Sequence, residues 1–152
     1  MHSTDSSVKR DASSCDEVLI RDEVPPIGEA LVLYEAVGWS AYTRDPATLE
    51  RALAGSDHVV TARRGGRLVG LARVITDGAS IAYLQDILVD PECRRTGVGR
   101  RLFEAAFAPV AHVRQKVLVT DAEPGQRAFY EAVGFTEVHD LDPEGRAFVR
   151  YG

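Results

Sequence analysis

The segment DPECRRTGVGRRLF at 90–103 concentrates arginines and glycines in a way that asks for an anion. Gly97 and Gly99 remove side chains where the backbone must approach a ligand or take positive φ. If a helix starts here, the N–H groups of its first turn have no intrahelical partner and face outward at the positive end of the dipole. Arg94, Arg95, Arg100 and Arg101 place guanidinium groups around the same turn. Pyrophosphates are held by such combinations of backbone donors and cations. The other reading is a glycine turn with solvated arginines. The segment lacks the Gly-Lys-Ser/Thr of a nucleotide-binding P-loop, and its glycine spacing is not that of a dinucleotide fold.

The elements that must position this segment follow from periodicity. VLIRDEV (18–24) reads as a strand, and Ile27–Val37 carries helical spacing in Ala30, Leu31, Leu33, Tyr34 and Val37. A second helix is expected from Asp45, with Pro46 at its first position, to Gly55. HVVTARR (58–64) and RLVGLARVI (67–75) flank Gly65–Gly66 as a hairpin, and IAYLQDILV (81–89) follows the Asp77–Gly78 turn. GRRLFEAAF is helical, KVLVTDA (116–122) a strand, QRAFYEAV a helix, and TEVHD and RAFVRY two closing strands. Strand–helix–strand at 81–122 reads as a right-handed parallel crossover between antiparallel hairpins. The fold class is therefore α+β: a mixed, mostly antiparallel sheet with helices on its faces.

Bulk properties narrow the function. With 152 residues, 45% hydrophobic and 27% charged, the chain fits one globular domain. Residues 1–14, polar and serine-rich, are expected to form a flexible tail, leaving 15–152 as the domain. A net charge of −5 speaks against nucleic acid as the main partner and suits a cationic small molecule. No apolar run nears the roughly 18 residues of a membrane span, and no signal-peptide pattern opens the chain. Cys15 and Cys93 form no disulfide framework, which suits a cytoplasmic setting, and neither they nor the four histidines show metal-ligand spacing. No metal is expected.

The hexapeptide YEAVGW at 34–39 returns as YEAVGF at 130–135, with unrelated flanks. A duplication would have left similarity around both copies. What recurs is a helix ending: a last turn, a glycine suited to the left-handed C′ position, and an aromatic that packs back on the helix.

Arg94, Arg95, Thr96, Gly97, Val98 and Gly99 match the pattern Arg/Gln-x-x-Gly-x-Gly/Ala. ILVDP (87–91) precedes them and AFYEAVGF (128–135) follows at a fitting distance. In this series the chain resembles the GNAT superfamily of N-acetyltransferases over about residues 18–151. More narrowly, GLARVITDG, IAYLQDILVDP and YEAVGW look like the chloroplast GNAT enzymes of plants and their bacterial relatives, which acetylate arylalkylamines or protein amines. The resemblance implies a sheet splayed between the strands 81–89 and 116–122, with acetyl-CoA in the gap. It implies that the backbone of Ile87, Leu88 and Val89 meets the pantetheine arm and thioester carbonyl, and that N–H groups from Arg95 to Arg100 hold the pyrophosphate. Acetyl-CoA is the implied acyl donor, with no metal.

Transfer to an amine requires a neutral nitrogen. An alkylamine of pKa near 10.4 is about one part in 2,500 neutral at pH 7, a cost of roughly 4–5 kcal/mol. A carboxylate near the reacting atoms lowers that obstacle. In a regular pleat Asp86 shares a face with Leu84 and Leu88, an apolar setting that should raise its pKa toward a useful base; the alternative is a structural aspartate. Glu123 falls where the plant enzymes carry an acidic residue, and a solvated loop-end glutamate is the alternative. Tyr83 stands where other members of the family have a glutamate base, which leaves the base open. Tyr130, a phenol protonated at pH 7, is implied by the family motif as the acid that serves the CoA sulfur; the alternative is an aromatic packed on the sheet. Trp39 and Tyr42, with Tyr34 on the same acceptor-side helical region, could bind the amine or serve as packing. Cys93 is expected to be a bystander. The expected reaction is acetyl transfer in a ternary complex to a small arylalkylamine or polyamine. Protein lysines or N-termini, a non-catalytic acyl-CoA-binding module, and a homodimeric assembly stay open.

Overall fold

Ten helices and strands follow one another along the computed structural model, which describes residues 17–152; the expected tail and Cys15 lie outside these residues. They are β1 (Val18–Asp22), α1 (Ile27–Ala36), α2 (Ser40–Thr43), α3 (Pro46–Ala54), β2 (His58–Arg64), β3 (Arg67–Thr76), β4 (Ile81–Val89), α4 (Val98–Phe107), β5 (Gln115–Leu118) and α5 (Pro124–Ala132). The sheet order is β1-β2-β3-β4-β5, with β1 to β4 joined by antiparallel ladders. This is the mixed, mostly antiparallel α+β layout expected. Two units make up the chain, one ending at Val117 and the other spanning Leu118–Gly152. Among the described residues no helix is long and apolar enough to cross a membrane.

Local chemistry sets most boundaries. Asp45 caps α3 by accepting the Thr48 N–H at 3.1 Å, with Pro46 as its first helical residue. Gly65 and Gly66, at φ 55° and 81°, form the two-residue hairpin turn that positive φ at both positions requires. Asp77 closes the next turn by accepting the N–H groups of Ala79, Ser80 and Ile81 at 2.8–3.1 Å. The Ser80 hydroxyl and these amides hold its carboxyl well below the usual range.

The repeated hexapeptide ends two helices in the same way. In α1 the Trp39 N–H reaches the Tyr34 carbonyl at 3.0 Å and the Gly38 N–H reaches Glu35 at 3.0 Å. In α5 the Phe135 N–H reaches Tyr130 at 2.9 Å and the Gly134 N–H reaches Glu131 at 3.1 Å. Gly38 and Gly134 have φ of 80° and 96°. The aromatics lie back on the tyrosines with ring centroids 6.0 and 6.2 Å apart. Both copies are Schellman endings.

Helices cover both faces of the sheet. Leu33 and Tyr34 of α1 and Leu49 and Leu53 of α3 bury against Leu68, Leu71 and Leu88. On the other face α4 sends Val98, Leu102, Phe103, Ala106 and Phe107 inward. A Cβ at Gly70 would lie 2.7 Å from Leu102 Cδ1 and 3.3 Å from the Leu88 carbonyl, so that glycine permits the close seat of α4.

One expected strand is shorter than its pattern, and two others are absent among the described residues. The strand expected at 116–122 is β5, which ends at Leu118; Val119 is exposed, and Asp121 accepts the Glu123 N–H at 3.1 Å to turn the chain toward α5. TEVHD contains a single helical turn, Val138–Asp140, because Arg127 binds both Glu137 and Asp140 and the Gly145 N–H closes on Val138 at 3.0 Å. RAFVRY carries strand-favouring residues but joins no ladder, and Phe148 and Tyr151 are 90% and 85% exposed. Strand-favouring residues fit a pleated surface; they do not supply the neighbouring strand.

Candidate functional site

The loop after β4 is built before it can bind anything. The Asp90 N–H donates to Val69 at 2.8 Å, while its carboxylate accepts from the Glu92 N–H at 2.9 Å and from Arg67 at 2.8 Å. Cys93 is fully buried, and its carbonyl accepts the Thr96 hydroxyl at 2.5 Å. Arg95 and Gly97 then take φ of 61° and 83°. An arginine in that region is uncommon, and such strain is characteristic of ligand clamps. The first bond within α4 runs from the Arg101 N–H to the Gly97 carbonyl at 3.1 Å, so the amides of Val98, Gly99 and Arg100 are the helix's orphan donors. Arg94 and Arg95 are exposed beside them, and Arg100 is paired with Glu104 at 2.9 Å. A Cβ at Gly97 would meet nothing within 4 Å, so the space beside this turn is open. The donor set, amides plus guanidinium, fits phosphoryl oxygens. Ile87, Leu88 and Val89 lead into it, in register with Ala72, Leu71 and Gly70.

Asp86 departs from its expected setting. A register shift pairs Asp86 with Arg73 but Leu84 with Val74, so Gln85 is the extra residue of a bulge. Because Arg73 and Val74 are adjacent on β3, Asp86 and Leu84 lie on opposite faces; only Leu88 shares the face of Asp86. The apolar setting is also absent. Asp86 is 1% exposed and accepts from Arg73 Nε, from the Tyr34 hydroxyl at 2.8 Å and from the Tyr42 hydroxyl at 3.0 Å. Burial opposes the charge on Arg73, but the Asp86 carboxylate outweighs it and holds the guanidinium pKa above its usual value. This carboxylate anchors a network and is not an unpaired buried base.

Tyr34 is likewise displaced from its expected role. It is 0% exposed, so it cannot contact an amine, and burial together with the charge of Asp86 raises its pKa far above the phenol range. Tyr42 and Trp39 remain reachable, half-buried and exposed, with ring centroids 6.1 Å apart and planes 30° apart. Gln85 Nε2 donates to the Tyr42 oxygen at 3.2 Å.

Arg73 and Gln85 were not among the expected site residues. Arg73 had a signal: RLVGLARVI holds a lone internal arginine, and a buried cation demands an anion on a neighbouring strand. Asp86 is the one acid in IAYLQDILV. Gln85 had none, since a bulge leaves no mark on apolar periodicity. Asp86→Ala strands the buried Arg73, and we expect a loss of about 3–5 kcal/mol of unfolding free energy, read from the urea midpoint. A loss below about 1 kcal/mol would contradict the network.

In the unit from Leu118, Tyr130 is 8% exposed, and burial with an added push from the Asp121 charge raises its pKa to about 12. It therefore stays protonated at neutral pH. Glu123 is exposed and directly precedes Pro124, the first residue of α5. Glu137, His139 and Asp140 bring possible ligand atoms within 4.8 Å of one another, but on an exposed surface where Arg127 already binds both carboxylates.

Comparison with known proteins gives one family. Residues 26–148 match the acetyltransferase (GNAT) domain. The chain is 32% identical over 114 residues to serotonin N-acetyltransferase 2, chloroplastic, of Oryza sativa subsp. japonica, covering 70% of this chain and 55% of the relative. It thus spans about half the length of that plant protein. A GNAT family acetyltransferase from Streptococcus pneumoniae TIGR4 superposes with a TM-score of 0.75 at 28% identity, covering 90% of this chain and all (100%) of the other. The aminoglycoside acetyltransferase AAC(6')-Iy, solved with a CoA bisubstrate analogue, has a TM-score of 0.69 at 17% identity, covering 90% and 99%; that likeness is one of fold.

Proposed function

Because the chain belongs to the GNAT acetyltransferase family, we propose that it transfers an acetyl group from acetyl-CoA to a small primary amine, an arylalkylamine or polyamine, by direct attack in a ternary complex. The observation that carries this reading is the loop from Arg94 to Arg100, with its positive-φ backbone, orphan amides and open space beside Gly97. Acetyl-CoA supplies the acetyl group as a thioester whose sulfur departs as a thiolate. The amides of Val98, Gly99 and Arg100, with Arg94 and Arg95, hold the pyrophosphate, and the Thr96 hydroxyl shapes the loop from within. The backbone of Ile87, Leu88 and Val89 takes the pantetheine arm.

Glu123 accepts the proton that the attacking nitrogen loses, directly or through water. Tyr130 gives its proton to the thiolate and recovers one from solvent. A carbon–nitrogen bond forms, the carbon–sulfur bond breaks, and one proton moves at each end. The exposed Trp39 and the half-buried Tyr42 favour an aryl-bearing acceptor, in keeping with the name of the rice relative. Thiol release from acetyl-CoA across a panel of arylalkylamines, polyamines and lysine peptides tests the proposal. We expect release that depends on amine, with small amines ahead of peptides. Cofactor binding with no turnover on any acceptor would instead describe an acyl-CoA-binding module.

A further inference from the structure

The segment that offers amides and arginines to an anion also carries two acids, Asp90 and Glu92, just before Arg94 and Arg95. Carboxylates beside an anion site repel its ligand, and the repulsion is greatest where water screens least. Asp90 is 7% exposed. Its presence has a structural reason, because its carboxylate accepts the Glu92 N–H at 2.9 Å and starts the turn Pro91–Cys93. The Cys93 N–H closes that turn on the Asp90 carbonyl at 2.8 Å. Among the described residues, one cation pairs with these acids. Arg67 donates from one terminal nitrogen to Asp90 at 2.8 Å and from the other to Glu92 at 3.4 Å. The sheet, rather than the loop, puts Arg67 there. It is the first residue of β3, opposite Arg64 and directly after the Gly65–Gly66 turn, whose Gly66 carbonyl accepts from Arg63 at 2.9 Å.

We propose that Arg67 is a positioning residue for the acyl donor: by bridging Asp90 and Glu92 it neutralises the acids of the turn and leaves Arg94, Arg95 and the amides of α4 to the pyrophosphate. The inference rests on the acetyl-CoA reading and names a residue outside the loop that sets its affinity. Arg67 acts through the two carboxylates and needs no contact with the ligand. Without it Asp90 keeps its backbone bonds and its charge, but loses the cation that offsets that charge. Glu92, with its side chain 79% exposed, loses its partner and competes with the phosphates for the neighbouring guanidinium groups. The Arg67 side chain is 53% exposed, so its ion pairs add little to folding. The loss should therefore register in donor binding more than in stability. Neither carboxylate belongs to the acceptor side, so the expected signature is a change in acetyl-CoA affinity without a change in kcat.

The test titrates acetyl-CoA into wild type, Arg67→Met, Glu92→Gln and the double variant at about 50 and about 300 mM salt, with steady-state kinetics alongside. Methionine keeps an apolar stem and removes the charge. Arg67→Met should bind acetyl-CoA about tenfold more weakly than wild type at low salt and about threefold more weakly at high salt. Its kcat at saturating acetyl-CoA and its amine KM should stay within about twofold of wild type. Adding Glu92→Gln should bring binding back to within about threefold of wild type, since it removes one of the two uncompensated charges. Glu92→Gln alone, which leaves Arg67 in place, should bind at least as tightly as wild type. A merely structural role for Arg67 would weaken binding with no relief from Glu92→Gln and no dependence on salt. That result, a folded Arg67→Met that binds within about twofold of wild type at low salt, or weaker binding by Glu92→Gln alone overturns the proposal. Each of these leaves the acetyltransferase reading in place. No binding of acetyl-CoA by wild type overturns both.

Discussion

Gly97→Trp is expected to weaken acetyl-CoA binding by at least about 100-fold, equivalent to about 2.7 kcal/mol, while the protein still folds. A Cβ at this position meets nothing within 4 Å, so the first side-chain atom has room. The bulk of an indole beside the orphan amides of Val98, Gly99 and Arg100 is expected to obstruct a pyrophosphate there. Gly97 has φ of 83°, where a bulky residue costs roughly 1–2 kcal/mol. Gly97→Asn separates strain from obstruction, since asparagine tolerates the left-handed region and is short. The asparagine variant should bind acetyl-CoA within about tenfold of wild type. Titration calorimetry beside a thermal melt makes both comparisons. A folded tryptophan variant that binds within about threefold of wild type would remove the loop from the cofactor site.

Tyr130→Phe should lower kcat by about 100-fold or more, the size of a general-acid contribution, and leave the acetyl-CoA dissociation constant within about twofold. The ring contacts with Phe129 and Phe135 need no hydroxyl, so the helix ending at Gly134 should persist. The pH dependence has a definite sign. Burial and the Asp121 charge raise the phenol to about 12, above its ordinary value near 10. Tyr130 is therefore protonated throughout neutral and mildly alkaline conditions, and kcat should show no fall from loss of this proton between pH 7 and about 10. The same shift stabilises the folded state below pH 10, and that contribution is lost as pH rises from 10 through about 12. Unchanged turnover in Tyr130→Phe would exclude the phenol as the acid.

Where a residue's own backbone chemistry decides, the sequence was readable. Asp45 and Pro46 start α3, Gly65–Gly66 turn the hairpin, and Gly38 and Gly134 end two helices, each for a reason local to a few residues. The turn before α4 was legible for the same cause, since Gly97 takes the positive φ that a glycine permits and the helix starts at the next residue. Asp86 was misread because its environment depends on register. One extra residue at Gln85 moved Leu84 to the opposite face and brought Arg73, distant in sequence, into contact. Tyr34 was misread because helical spacing gives the inward face without saying how deep it lies. RAFVRY shows the same gap in a strand, since pairing depends on a neighbour that the segment does not encode.

Direct transfer within a ternary complex is tested by initial rates with acetyl-CoA and the best amine varied together, and by the mass of the protein after acetyl-CoA alone. Lines that intersect in the double-reciprocal plot, with an unmodified protein mass and an acetylated amine as product, are the predicted result. Parallel lines with an acetyl group on the protein would show a covalent relay, and would contradict the account at its centre.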